Sequence, residues 1–178
     1  MAFHNTKIVY HTFGILESLA KSSEKKQFHY GDDFHYQEYQ EHTSAIISAL
    51  TSGFILLFTG LLTLRPLRSL FKRYAPQSGE GPSKSVRENG WWKATTVALE
   101  HEGTAQSKVV MRGKGDPGYK STSMMISECA LAVLQNRDQL PAPAKNGGCL
   151  TPASALGVVL KERLERTGFY SFEISSKV

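Results

Sequence analysis

Gly113, Gly115 and Gly118 spell G-x-G-x-x-G between a strand-like run, Lys108 to Arg112, and a helix-like run, Ser121 to Leu134. A turn of that kind between a strand and a helix is where backbone N–H groups cradle a dinucleotide pyrophosphate. Asp138, 20 residues beyond Gly118, stands near the place of a ribose-binding acid. Three features oppose this chemistry. The strand feeding the turn belongs to a hairpin pattern rather than a parallel crossover. Asp116 would put a carboxylate where phosphate must sit, and Pro117 lacks one of the needed N–H groups. Asp138 itself follows a helix rather than a second strand. The competing reading is a tight strand-to-helix turn in which Asp116 or Ser121 caps the helix.

Other reactive side chains form no reacting set. Six histidines (His4, His11, His29, His35, His42 and His101) show no metal-ligand spacing, so no metal site is expected. Ser123, Ser127 and Cys129 lack an activating histidine or a nucleophile-elbow turn. Trp91 and Trp92 read as packing residues. Asp116, Tyr119 and Thr151 lie in Gly/Pro-rich loops, where functional side chains concentrate, and are the cleft candidates. No catalytic residue is assigned, and no cofactor is expected on this chain alone.

The elements that must carry these loops follow from periodicity. Residues 5–20 have helical apolar spacing through Ile8, Val9, Phe13, Leu16 and Leu19. Gln27 to Glu41 is rich in tyrosine and histidine, with Tyr30-Gly31-Asp32-Asp33 as a turn. Ala75 to Ser85 reads as a linker. Trp91 to His101 and Ser107 to Gly113, separated by Glu102-Gly103-Thr104, read as an antiparallel hairpin. Helices are expected over Ser121–Gln135 and Ala153–Arg166, the second capped by Gly168, before a closing strand from Phe169 to Ile174. A hydrophobic content of 40% over 178 residues supplies a core, which excludes wholesale disorder. The net charge of +5 is not arranged as a basic stripe with aromatics, so nucleic acid is not an expected partner. Two cysteines, Cys129 and Cys149, read as reduced thiols in an intracellular protein, and no secretory signal follows Met1.

Thr43 to Leu64 has no charge in 22 residues, and 11 of them are Leu, Ile or Phe. Those 11 contribute about −3 to −7 kcal/mol to membrane insertion, eroded by seven Ser/Thr and two Gly. Arg65-Pro66 is expected to halt this helix, and Leu67 to Tyr74 then forms a basic amphipathic stretch with Arg68, Lys72 and Arg73. The choices are a buried core helix or a membrane-associated one, with the cationic flank on the cytosolic side. Spanning and in-plane placements both stay open. If chain on both sides of the segment belongs to one folded unit, an in-plane or re-entrant placement is required.

Gly115-Asp116-Pro117-Gly118-Tyr119, followed by Glu128 and Ala130-Leu131, resembles the C-terminal half of saccharopine dehydrogenase-like oxidoreductases, the trans-acting enoyl reductase subgroup above all. The loop Gly147-Gly148-Cys149-Leu150-Thr151-Pro152 through Gly157, and the stretches from Asn5 and from Tyr30, are similar to that family as well. The resemblance implies a substrate or interaction portion of an NAD(P)-dependent oxidoreductase of lipid or membrane metabolism, inactive alone. The family's nucleotide-binding half would be supplied upstream or in trans, and the site of action would be a membrane or lipid-droplet surface. The alternative is a non-catalytic, membrane-anchored interaction protein. The expected fold is α/β (α+β-like): an antiparallel hairpin or sheet packed by helices, plus one membrane-associated helix. Its segments are 1–42, a remnant of a central α/β domain; 43–74, the membrane-associated part; 75–90, a linker; and 91–178, a C-terminal α/β domain.

Overall fold

The computed structural model describes residues 2–22, 30–31, 33–75, 77, 79–100 and 105–176. Seven α-helices and three strands form among them, and the chain divides into two compact units. The first comprises residues 3–36 and 82–178, the second residues 37–81.

In the first unit, β1 (Trp91–Leu99) pairs antiparallel with β2 (Ala105–Lys114), and β2 pairs antiparallel with β3 (Tyr170–Ser176). The order β1-β2-β3 makes a three-stranded antiparallel sheet. The expected hairpin is present, while its turn at 102–104 lies outside the described residues. Trp92 stands opposite Gly113, and Gly113 opposite Tyr170, so these three positions share one face of the sheet.

That face meets α5 (Lys120–Gln135) and α7 (Pro152–Arg166). The core between the helices is small: Ala132, Leu140 and Leu156 are buried, with Cys129, Ala144, Ala155, Val159 and Leu160 packed on them. Leu164 and Tyr170 are buried as well. The short α6 (Ala142–Asn146) closes the loop between them. Arg163 of α7 ties the helices by polar contacts. Its Nε donates to Glu128 Oε2 at 2.8 Å and its guanidinium to Asn136 Oδ1 at 2.8 Å. Gly157 breaks α7 with φ 50° and ψ −132°, a conformation closed to side chains with a Cβ. Gly168 ends the helix as expected, its N–H donating to Glu165 O at 3.0 Å.

The α1 helix (Ala2–Ser22) extends past the expected limits of residues 5–20. It packs on the aromatic run, with Phe13 stacked on Phe34 at 4.8 Å between ring centroids. Between residues 82 and 90 the composition signalled only a linker, yet α4 (Lys84–Asn89) forms there. Ser83 caps it by accepting from Val86 N at 3.4 Å. Gly/Pro/Ser content masked a cap signal that a single serine carries.

In the second unit, α2 (Ala45–Leu61) is capped by Ser44, and α3 (Arg65–Tyr74) follows a three-residue break. The expected stop at Arg65-Pro66 is corrected. The first helix ends at Leu61, and Pro66 instead opens the second helix, where its missing N–H costs nothing. No residue of α2 is buried. The two helices are bent by 109°. No single helix among the described residues is long and apolar enough to cross a membrane.

Candidate functional site

The glycine turn is built by the strand that enters it. Trp92 lies across Gly113, and a Cβ at 113 would fall 2.6 Å from Trp92 Cζ2. The indole therefore reaches past β2 and donates from Nε1 to Ser121 Oγ at 2.9 Å. Ser121 is fully buried, and its hydroxyl bonds Tyr170 OH at 3.1 Å. Tyr170 OH also lies 2.7 Å from the Ser121 carbonyl, to which it donates. The first glycine of the motif thus admits an aromatic ring, and the first turn of α5 is pinned to the sheet by a three-residue polar network. A buried network of this kind costs its unmade hydrogen bonds if any member is lost.

The turn itself spends its N–H groups on the protein. Lys114 N donates to Phe169 O at 2.9 Å, Gly115 N to Gly90 O at 2.7 Å and Asp116 N to Arg87 O at 3.0 Å. Gly115 has φ 80°, and a Cβ there would meet Lys120 Cγ at 2.8 Å. Asp116 Oδ2 accepts from Tyr119 N at 2.8 Å, and Asp116 O from Ser121 N at 2.9 Å. Neither residue expected to cap α5 does so: Tyr119 holds the N-cap position without a side-chain cap, Asp116 closes the turn before it, and Ser121 faces inward. A phosphate cradle needs a concave row of free N–H groups; here three consecutive ones are already committed to carbonyls.

Outside this turn, Arg87, Glu88, Gly118, Tyr119, Lys120, Thr122 and Ser123 line an open cleft of about 430 Å³. Tyr119 is 54% exposed. Lys120 Nζ stands 3.4 Å from Glu88 Oε2. The cleft holds Arg87 and Lys120, the latter paired with Glu88, while the hydroxyls of Thr122 and Ser123 donate to the carbonyls of Pro117 and Lys120.

Thr151 belongs to a different assembly. It is the N-cap of α7 in a reciprocal capping box: its Oγ1 accepts from Ser154 N at 3.3 Å, and Ser154 Oγ accepts from Thr151 N at 3.0 Å. The same hydroxyl bonds Thr12 Oγ1 of α1 at 2.7 Å, buried. Beside it, the ring of His11, the residue before Thr12, lies 2.9 Å from Cys149 O through Nε2. Residues near the start of the chain are thereby fastened to the loop before α7. Asp116 and Tyr119 share one turn, then, and Thr151 sits in a second network that anchors α1.

Sequence reasoning took Trp92 for a packing residue and Ser121 for a possible cap, and did not join either to Tyr170. Their signal was a register: once β1 and β2 are aligned, the tryptophan falls opposite the glycine. Cys129 is half-buried against the Glu128 carboxylate, and burial first, then that charge, raises its thiol pKa. That makes it a packing thiol rather than a nucleophile. Among the described residues no cluster of histidine, cysteine and carboxylates could hold a metal ion.

No protein-family model matches the chain, and no solved structure does. Curated relatives do match. A Mycobacterium tuberculosis protein carrying the provisional name of trans-acting enoyl reductase is 34% identical over 176 residues, covering 94% of this chain. A trans-acting enoyl reductase of Mycobacterium ulcerans is 32% identical over 156 residues, covering 83% of this chain. A second Mycobacterium tuberculosis trans-acting enoyl reductase is 30% identical over 155 residues. The chain spans 38% of the length of the first relative and 36% of the second. It is homologous to these proteins along most of its own length.

Proposed function

We propose that this chain is the C-terminal substrate or interaction portion of an NAD(P)-dependent oxidoreductase of the enoyl reductase kind, with saccharopine dehydrogenase-like ancestry, acting in lipid or membrane metabolism. It is inactive without a nucleotide-binding part, supplied upstream in the same polypeptide or in trans. The observation that carries this reading is the similarity itself: it runs along 94% of the chain yet accounts for 38% of the relative. The geometry of the glycine turn supports the division of labour. Its N–H groups are spent on Phe169, Gly90 and Arg87, and the strand leading into it has antiparallel neighbours on both sides. In this reading the turn shapes one wall of a substrate cleft, with Tyr119, Lys120 and Arg87 facing it, and the hydride donor comes from elsewhere.

The exposed apolar surface of α2 favours a membrane-associated protein whose main body faces the cytosol, on an organelle membrane or lipid droplet. The same surface also favours the second reading, a membrane-anchored interaction protein without catalysis. Mapping the 5′ end of the transcript separates them. The oxidoreductase reading expects a strand–GxGxxG–helix pattern in frame upstream, or in an adjacent co-transcribed frame. If neither frame encodes such a pattern, the non-catalytic reading takes its place.

A further inference from the structure

The second unit is apolar where a soluble protein would be polar. In α2, Ile46, Leu56 and Leu57 are 72%, 74% and 64% exposed, and the helix carries no charge at any position. One of its hydroxyls bonds back along the helix, Thr51 Oγ1 donating to Ile47 O at 2.8 Å, and Ser44 caps Ile47 N at 3.3 Å. A helix satisfies its backbone N–H and C=O groups internally, so α2 can leave water without stranding them. At 17 residues it measures about 25 Å, short of the ~30 Å hydrocarbon thickness.

The neighbouring α3 is amphipathic. Leu67, Leu70, Phe71 and Tyr74 look onto Phe58, Leu61 and Leu62 across a wholly apolar notch of about 280 Å³, and Phe58 and Phe71 meet edge to face at 5.3 Å. The other side of α3 carries Arg65, Arg68, Lys72 and Arg73. A cationic helix face beside exposed apolar side chains is complementary to anionic headgroups over acyl chains.

Connectivity fixes the topology. The chain before the hairpin and the chain after it meet inside the first unit, where buried Thr12 bonds Thr151 at 2.7 Å and His11 reaches Cys149 O. Both ends of the 37–81 segment must therefore lie on one side of any bilayer. From this we infer that α2 and α3 form a one-leaflet anchor selective for anionic lipid: α2 enters the near leaflet and returns, and α3 lies among the headgroups with its four cations on lipid phosphates. The inference rests on the membrane reading above and adds lipid class and topology to it.

Flotation of the full chain with phosphatidylcholine vesicles, with and without phosphatidylglycerol, tests the lipid class. Binding is expected to need the anionic lipid and to fall about five-fold for each of Arg68→Gln, Lys72→Gln and Arg73→Gln, at about 1 kcal/mol per cation. These side chains are exposed, so circular dichroism of the variants should match the parent. Topology is read with Thr43→Cys and Gln77→Cys, each introduced singly after Cys129→Ser and Cys149→Ser. Both should react with a membrane-impermeant maleimide on intact vesicles. Equal binding to neutral vesicles, or labelling of Thr43→Cys only after lysis, overturns the inference while leaving membrane association standing. No flotation with either vesicle, or self-association of the chain through this hairpin in its place, overturns both.

Discussion

In the unit formed by residues 3–36 and 82–178, hydroxyls are turned inward and tied: Ser121 to Trp92 and Tyr170, Thr151 to Thr12 and Ser154. In the unit of residues 37–81 the large apolar side chains are turned outward, and no residue of α2 or α3 is buried. The first unit buries few hydrophobic side chains, so its order depends on polar networks and on close approaches such as Trp92 over Gly113. Among the described residues of the second, the side-chain hydrogen bonds of Thr51, Thr63 and Gln77 are exposed, and its apolar side chains lie uncovered. Substitutions should consequently act in opposite ways on the two. Those in the first should change stability, and those in the second should change partitioning.

The largest effect is expected from Gly113→Val. The added side chain collides with the indole that Ser121 holds in place, and destabilisation of about 3 kcal/mol should follow in urea unfolding. Vesicle binding through the other unit should survive, and its loss would show the two to be coupled. Thr151→Val keeps the shape but removes the cap of α7 and the tie to Thr12. About 2 kcal/mol is expected, with increased proteolysis of α1 as the second readout. In α2, Leu56→Ser should change stability by less than about 0.5 kcal/mol, because that side chain is exposed. A cost comparable to that of Gly113→Val would return α2 to the role of a core helix and erase the contrast.

The smallest effect concerns Arg112 and Glu173, which form an ion pair from β2 to β3. The hydrogen bond from Arg112, then its charge, lowers the Glu173 pKa. A lowered carboxylate pKa stabilises the fold above the ordinary carboxylate range. That contribution fades as pH falls through the lowered value. Both groups are solvated, so Glu173→Gln should only slightly flatten the acid limb of a melting-temperature profile.

Much of this was legible from residue order. Alternation gave the hairpin, and the helical periods gave α5 and α7. Thr12 meeting Thr151 puts both flanks of the charge-free segment in one unit, the condition stated for an in-plane or re-entrant placement. What stayed hidden was partly local and partly non-local. The stop after Leu61 was misplaced because proline was weighed as a breaker, when at a helix start it is an initiator. Ser83 as the cap of α4 was lost in a Gly/Pro/Ser background. Trp92, Ser121 and Tyr170 could not be grouped, since 29 residues separate the first pair and 49 the second. The glycine motif was the opposite case: a local pattern so suggestive that only its hydrogen-bond partners show what the glycines do. Gly113 makes room for a ring, and Gly115 makes the turn.

The central claim is that this chain is the part of an oxidoreductase that does not hold the nucleotide. Isothermal titration of the full chain with NADPH tests it most directly. No saturable binding is expected at micromolar concentrations, with Asp116→Ala leaving that result unchanged. Saturable micromolar binding that is lost on Gly115→Val would contradict it and restore the turn as a cofactor site.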